Sequence, residues 1–167
     1  MKHVPLLVVA SALSLASLPA SRAAARDTEP GSARTYVIVH GAWGGGWAFK
    51  EVERLLRAEG HTVYRPTLTG QGERVHLAHP DIDLETHIQD VVNLIEWEQL
   101  KDVVLVGHSY GGMVITGVAD RVYSRIGHVI YLDAFVPEDG ESAEMMGGGR
   151  MEAKDGFIIP RWVAADK

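Results

Sequence analysis

The stretch Val103-Val104-Leu105-Val106-Gly107-His108-Ser109-Tyr110-Gly111-Gly112 decides the fold of this chain. Its first residues form an apolar run, which is typical of a strand buried on both faces of a parallel sheet. From Gly111 to Tyr123 apolar side chains recur at helical spacing, which predicts a helix. A Gly-X-Ser-X-Gly sequence between a strand and a helix is the context that exposes a nucleophilic serine on a sharp turn. We therefore predict that Ser109 is a nucleophile.

Strands and helices alternate on both sides of this turn. The pattern predicts strands over 36–39, 61–65, 102–106 and 128–132, with helices between them. The order β-α-β-α-β-α-β indicates an α/β fold, in which a parallel sheet carries helices on both faces. Reactive groups of such sheets lie beyond the carboxyl ends of the strands. That rule selects His40-Gly41, Ser109 and Asp133.

Each predicted helix has an apolar stripe that should face the sheet. The first helix is expected over 47–59, and Thr86 with Gln89 is a candidate capping box for the second. The stripes are Val52, Leu55 and Leu56 in the first helix, Ile88, Val91, Val92 and Ile95 in the second, and Val114, Ile115, Val118 and Val122 in the third.

A glycine-rich loop, His40-Gly41-Ala42-Trp43-Gly44-Gly45-Gly46-Trp47, follows the first strand. A loop at this place supplies the second donor of an oxyanion hole, and the first donor is the amide that follows the nucleophile. We therefore predict that the amides of Ala42 and Tyr110 form this hole. The spacing matches neither the phosphate-binding loop nor the dinucleotide pattern.

Four segments of the chain carry a resemblance to a known family. They are 39–43 with Gly46-Trp47, Thr69-Gly70-Gln71-Gly72-Glu73-Arg74, 106–112, and Tyr131-Leu132-Asp133-Ala134-Phe135-Val136-Pro137. Together they resemble the α/β-hydrolase superfamily, and within it the plant methyl esterases, salicylate-binding esterases, hydroxynitrile lyases and bacterial esterase relatives, over roughly residues 35–145. The resemblance implies hydrolysis of a small-molecule carboxylic ester through an acyl-enzyme, with no cofactor. Lyases of this group carry a catalytic Thr where this chain has Gly41, which favours an esterase.

A serine nucleophile needs a general base and an acid that orients it. In the family these residues follow two further strands, so we expect the chain to be C-terminally truncated, with the last strands of the fold missing. Asp133 follows the fourth predicted strand, where some hydrolases of this fold keep their catalytic acid, but the resemblance suggests a structural or pocket role for it instead.

The histidines of the chain are weak candidates for the missing base. His40 should support the oxyanion loop, His108 should point away from Ser109, and His128 should lie at the opposite end of the sheet. His76 and His79 lie in a long loop, where solvated positions are common. No histidine pair has the spacing of a zinc-binding helix, so we expect no metal site. Trp43 and Tyr110 are expected to form walls of the pocket. Trp47 and Phe135 are expected either in the pocket wall or packed in the core.

The two ends of the chain differ in composition from the predicted hydrolase core between them. Residues 1–25, with the apolar run 6–18 and the small residues Ala23-Ala24-Ala25, predict a secretory signal peptide, and residues 26–34 predict a linker. We expect the hydrolase core over 35–137 and the start of a cap or lid over 138–167. We therefore expect the protein to be exported, either to the periplasm or into the medium. We expect no stable membrane insertion once the signal is removed.

Charge and cysteine content exclude several classes of protein. The formal net charge is -6 and no basic cluster is present, which argues against a nucleic-acid partner. The chain has no cysteine, which excludes disulfides and cysteine nucleophiles. Two alternatives to an esterase stay open: a catalytically silent protein that binds a small ligand in the same pocket, and, less favoured because of Gly41, a hydroxynitrile lyase.

Overall fold

Four parallel strands form one sheet, as the sequence predicts. Their order is β2-β1-β3-β4, so the first and third strands are central. The valine and isoleucine residues of these two strands are buried on both faces, because helices cover both sides of the sheet. The strands are β1 (Thr35–Val39), β2 (Thr62–Tyr64), β3 (Val103–Ser109) and β4 (Ile126–Ala134).

The computed structural model describes residues 32–147 and 153–158. The predicted signal peptide, most of the predicted linker and part of the expected cap lie outside the described residues. Within the two described ranges, every helix is too short or too polar to cross a membrane.

Helices pack on both faces of the sheet. The larger core places apolar side chains of α2 and α3 against β1 and β3, and it includes all eight predicted stripe residues of these two helices. The smaller core lies on the opposite face and is built on Ile38, Val63, Val104 and Val106. The helices are α1 (Lys50–Ala58), α2 (Leu84–Trp97) and α3 (Gly111–Arg121), and 3-10 turns cover Gly46–Phe49, Gly72–Leu77 and Tyr123–Arg125.

Two local predictions about the helices are wrong. Helix α2 begins one turn earlier than the expected capping box, because Asp83 is its N-cap and accepts a hydrogen bond from the Thr86 amide at 2.9 Å. The stripe predicted for α1 is mostly exposed: Leu56 packs against the smaller core, whereas Val52 is 41% and Leu55 is 54% exposed.

The fourth strand lies at the edge of the sheet. It pairs in parallel with β3 along one side, and Val129, Ile130 and Leu132 are exposed. After it come the short helix α4 (Ala143–Met146) and the antiparallel hairpin of β5 (Ala153–Lys154) and β6 (Phe157–Ile158).

Candidate active site

Ser109 occupies a sharp turn between β3 and α3. Its φ is +52°, a left-handed conformation that costs a residue with a side chain free energy of order 1 kcal/mol. Close backbone packing surrounds it. A Cβ atom at Gly107 would lie 2.6 Å from the Gly111 carbonyl oxygen, and one at Gly111 would lie 2.6 Å from the Val39 carbonyl oxygen. Gly107 and Gly111, on either side of Ser109, therefore have no room for a side chain.

The glycine-rich loop lies directly against this turn. A Cβ atom at Gly41 would be 3.0 Å from the Cβ atom of Ser109. The Gly44 amide donates to the Gly41 carbonyl at 3.3 Å, and Trp43 has a φ of +59°, as the third residue of a type II turn requires. Ala42 is thus carried on a tight turn beside Ser109.

The start of α3 adds a second backbone amide at the same place. Tyr110 is the N-cap residue of this helix, and amides at a helix start have no partner within the helix. The positive end of the helix dipole also points to this position. Ala42, Ser109 and Tyr110 all line one cavity, so the two predicted oxyanion donors belong to residues that border the predicted nucleophile.

His40 is buried and ties the glycine-rich loop to the chain after β2. Its Nε2 accepts from the Leu68 amide at 3.0 Å, and its Nδ1 donates to the Gly41 carbonyl at 2.7 Å. Burial lowers the pKa of His40, which favours the neutral ring that this pair of bonds needs. The side chain therefore holds the loop in place rather than reaching into the cavity.

The other predicted histidines differ in their relation to the cavity. His108 packs edge-on against Phe49, with 6.0 Å between ring centroids, and does not line the cavity. His79 lines the cavity and pairs with Asp81 at 3.2 Å, whereas His76 is exposed outside it. His128 is an exposed residue of β4, where it pairs with Val104, in the first half of both strands.

Asp133 is exposed at the end of β4, with a φ of +43°. It is not among the residues that line the cavity, so the structure gives no pocket contact to this residue. Of the four predicted wall aromatics, Trp43, Tyr110 and Phe135 line the cavity. The interpretation of Trp47 as wall or core is wrong, because its side chain is 58% exposed.

The cavity has a volume of about 440 Å³, which is within the range of small-ligand pockets. Its wall comes from the glycine-rich loop, the loop before α2, the Ser109 turn and the hairpin of β5 and β6. The indole N–H of Trp43 donates to the Ile158 carbonyl at 2.8 Å, which joins the hairpin to the glycine-rich loop.

His87 is a site residue that the sequence analysis missed. It is 6% exposed, lines the cavity, and lies 2.9 Å from the Tyr110 hydroxyl and 3.0 Å from the Thr69 carbonyl. Asp90, one turn further along α2, accepts from both the amide and the hydroxyl of Thr69. The sequence alone could have indicated His87 as a candidate site residue. It is an ionisable residue on the apolar face of its helix, one helical turn before Val91.

A hydrogen-bonded set of side chains supports the loop that carries Thr69. Thr67 donates its hydroxyl proton to Glu73 at 2.6 Å and accepts from the Gly46 amide at 2.8 Å, and the Thr67 bond lowers the pKa of Glu73. Arg74 donates to the Thr67 carbonyl at 2.8 Å. The segment Thr69–Arg74, quoted above for its resemblance, thus fixes the cavity wall.

Comparison with known proteins identifies the family of this chain. Residues 36–166 match the family model described as the alpha/beta hydrolase family. The chain is 59% identical over 107 residues to a carbendazim hydrolyzing esterase of Nocardioides sp. (strain SG-4G), an alignment that covers 64% of this chain and 44% of that protein. It is 32% identical over 104 residues to salicylic acid-binding protein 2 of Nicotiana tabacum, covering 62% of this chain and 40% of that protein.

A solved structure supports the same assignment. An extracellular alpha/beta-hydrolase from a Paenibacillus species matches with a TM-score of 0.61 and 38% sequence identity, covering 65% of this chain and 44% of that one. The chain spans less than half the length of each of these three relatives. Because the family model matches most of the chain, this protein belongs to the alpha/beta hydrolase family.

Proposed function

We propose that the protein is a serine hydrolase that acts on carboxylic esters, with Ser109 as the nucleophile. The left-handed conformation of Ser109 at the edge of the cavity is the observation that carries this proposal. Residues with a side chain adopt such a conformation where the surrounding structure enforces it, and these positions cluster at functional sites. The names of the relatives, which include an esterase and methylesterases, support the same substrate class.

The proposed reaction has two steps. Ser109 Oγ attacks the ester carbonyl carbon while a general base takes its proton, and the oxyanion accepts hydrogen bonds from the amides of Ala42 and Tyr110. The alcohol then leaves with a proton, and the acyl group remains on Ser109. Water attacks this acyl-enzyme, the acid leaves, and the serine proton is restored. His40 and His87 do not serve as this base, since their hydrogen bonds go to other groups.

Carbendazim is a specific candidate substrate. The relative that shares 59% identity is named for its hydrolysis, and the alignment covers 64% of this chain. The aromatic residues of the cavity wall, which include Trp43, Tyr110 and Phe135, suit a flat aromatic ligand.

A second candidate function is the binding of a small apolar ligand without turnover. The cavity and its aromatic wall serve such a role equally well, and no histidine of the described residues hydrogen-bonds to Ser109. A hydroxynitrile lyase is less favoured, because lyases of this group carry a catalytic Thr where this chain has Gly41.

Labelling and turnover distinguish these candidates. The chain and its Ser109→Ala variant are treated with a fluorophosphonate probe and assayed with 4-nitrophenyl acetate and carbendazim. Ser124→Ala, at an exposed serine, is the matched control. An esterase gives labelling and turnover that depend on Ser109 and not on Ser124. A chain that binds ligands but is neither labelled nor active contradicts the enzymatic proposal and supports the silent one.

We also propose that residues 1–25 are an export signal, that 26–34 form a linker, and that residues after 137 begin a cap over the cavity. The apolar run 6–18 and the small residues before Arg26 support the first part. N-terminal sequencing of exported protein tests it: a mature chain that begins at Arg26 is expected, and retention of Met1 contradicts cleavage.

A further inference from the structure

The hydrogen bond between His87 and Tyr110 has a fixed direction. His87 Nε2 lies 3.0 Å from the Thr69 carbonyl oxygen, which can only accept, so Nε2 carries the ring proton. Burial lowers the pKa of His87 and keeps the ring neutral. Nδ1 then has no hydrogen, and it accepts the proton of the Tyr110 hydroxyl across 2.9 Å.

Tyr110 therefore offers a ligand an acceptor rather than a donor. Burial, with a contribution from the Asp83 carboxylate, raises the pKa of Tyr110, so the hydroxyl stays protonated. Its single proton points to His87, and the phenol oxygen keeps a lone pair. A ligand that hydrogen-bonds to this oxygen must bring the donor.

Two side chains of the wall have their N–H or O–H donors occupied by the protein. The indole N–H of Trp43 donates to Ile158, and the hydroxyl of Thr69 donates to Asp90 at 2.8 Å. Acceptors, by contrast, are left over. Gln71 lines the cavity, and among the described residues nothing hydrogen-bonds to its buried Oε1. A buried acceptor without a partner favours the binding of a ligand that supplies a hydrogen-bond donor.

Tyr110 also sets the distance between two parts of a ligand. Its backbone amide is the proposed oxyanion donor, and its hydroxyl lies at the far end of its own ring. A ligand that uses both spans a distance comparable to the length of the Tyr110 side chain, and an ester carbonyl with a donor para to it on one aromatic ring provides such a span.

We propose that the cavity selects esters of aromatic acids that carry a hydroxyl or amino donor para to the ester group, with Tyr110 Oη as the specificity-determining acceptor and His87 as the residue that orients it. The aromatic side chains of Trp43, Phe135 and Phe157 line the cavity and pack against the aryl ring. This inference rests on the proposed function for the orientation of the ester, but its test needs only binding.

The test compares two ligands of equal size on the Ser109→Ala variant of the full chain, in which no acyl-enzyme forms. Dissociation constants are measured by calorimetry for methyl 4-hydroxybenzoate and for methyl 4-methylbenzoate, in which a methyl group replaces the hydroxyl. The hydroxy ester is expected to bind about five- to tenfold more tightly, the usual effect of one buried hydrogen bond. Methyl 3-hydroxybenzoate, with the donor misplaced, should lose most of this advantage.

Two further substitutions on the same background locate the effect. Tyr110→Phe removes the acceptor and should reduce the preference to less than about twofold, because no hydrogen bond is left to lose. Tyr123→Phe, the same change at a tyrosine that is 78% exposed outside the cavity, should leave the preference intact. Circular dichroism shows whether each variant is folded, and the comparison of the three ligands on the Ser109→Ala background does not depend on Tyr110→Phe.

The inference is overturned if the two para-substituted esters bind equally, if neither binds, or if the preference persists in a folded Tyr110→Phe variant. It survives if the preference is present and Ser109 of the natural chain is never labelled, in which case only the proposed esterase function fails.

Discussion

Gly41 and Ser109 touch so closely that a Cβ atom at position 41 would lie 3.0 Å from the Cβ atom of Ser109. The same Cβ atom would lie 3.2 Å from His108 Nδ1 and 3.4 Å from the His108 carbonyl oxygen. A side chain at position 41 would therefore force the glycine-rich loop or the Ser109 turn to shift by a few tenths of an ångström. This contact brings together two segments nearly 70 residues apart in the sequence.

We predict that Gly41→Ala lowers the rate at which a fluorophosphonate labels Ser109 by about tenfold or more, because a small misplacement of reacting groups is costly. Gly60→Ala is the matched control: Gly60 has a φ of +87° with nothing within 4 Å of an added Cβ atom. That variant should lose stability but keep its labelling rate. Equal labelling rates for the Gly41→Ala variant and the natural chain would show that the loop can shift without consequence.

The backbone of Ser109 predicts an unusual order of stabilities. The free energy of unfolding of Ser109→Gly should be about 1 kcal/mol higher than that of Ser109→Ala, so the glycine variant should be the more stable. Glycine adopts a left-handed φ without a steric penalty from Cβ. At Ser124, which is not among the residues with positive φ, alanine should be the more stable replacement. Urea denaturation of the four variants measures both differences. The same order at both positions would argue against strain at Ser109.

Substitution of two valines, one buried and one exposed, compares the contribution of the core to stability with that of the surface. Val118 of α3 is fully buried, whereas Val52 of α1 is 41% exposed. Val118→Ala should cost about 2 kcal/mol of unfolding free energy, through lost burial and a residual cavity. Val52→Ala should change it by less than about 0.5 kcal/mol, as is usual for surface positions. Comparable losses in the two variants would mean that another part of the protein covers α1.

The sequence predicted the sheet well because its strongest signals are local. The β-branched runs of β1 and β3 are buried on both faces, and such runs identify central strands whatever surrounds them. The stripes of α2 and α3 also face the core as expected. The stripe of α1 failed because Val52 and Leu55 have the right spacing, but only Leu56 reaches the sheet. Spacing identifies an apolar face and does not show what covers it.

Prediction of the site was uneven for a related reason. Ser109 and the glycine-rich loop are marked by short patterns, and both lie at the cavity. The contacts of His87 with Tyr110 and Thr69 join residues 23 and 18 positions apart, so no short pattern contains them. The resemblance suggests a structural or pocket role for Asp133, but β4 is the edge strand, its end is exposed and Asp133 does not line the cavity.

The N-cap of α2 predicts how stability depends on pH. The hydrogen bond from the Thr86 amide, followed by that from its hydroxyl, holds the pKa of the Asp83 carboxyl below its ordinary value. A carboxyl whose pKa is lower in the folded state stabilises the protein above the pKa of the unfolded chain, and this contribution is lost as pH falls through the folded value. Asp83→Asn keeps an oxygen that accepts from Thr86 but lacks the charge that favours a helix start. The melting temperature of the natural chain should therefore exceed that of Asp83→Asn at neutral pH, and the two should converge in acid.

Asp120→Asn is the matched control for this comparison, because it removes an exposed carboxylate near the end of α3 without removing a cap. At that end of a helix a negative charge is unfavourable, so its removal should not lower the melting temperature at neutral pH. A gap between the natural chain and Asp83→Asn that stays constant from neutral to acidic pH would show that the carboxylate charge contributes nothing. The N-cap would then act through its hydrogen bonds alone.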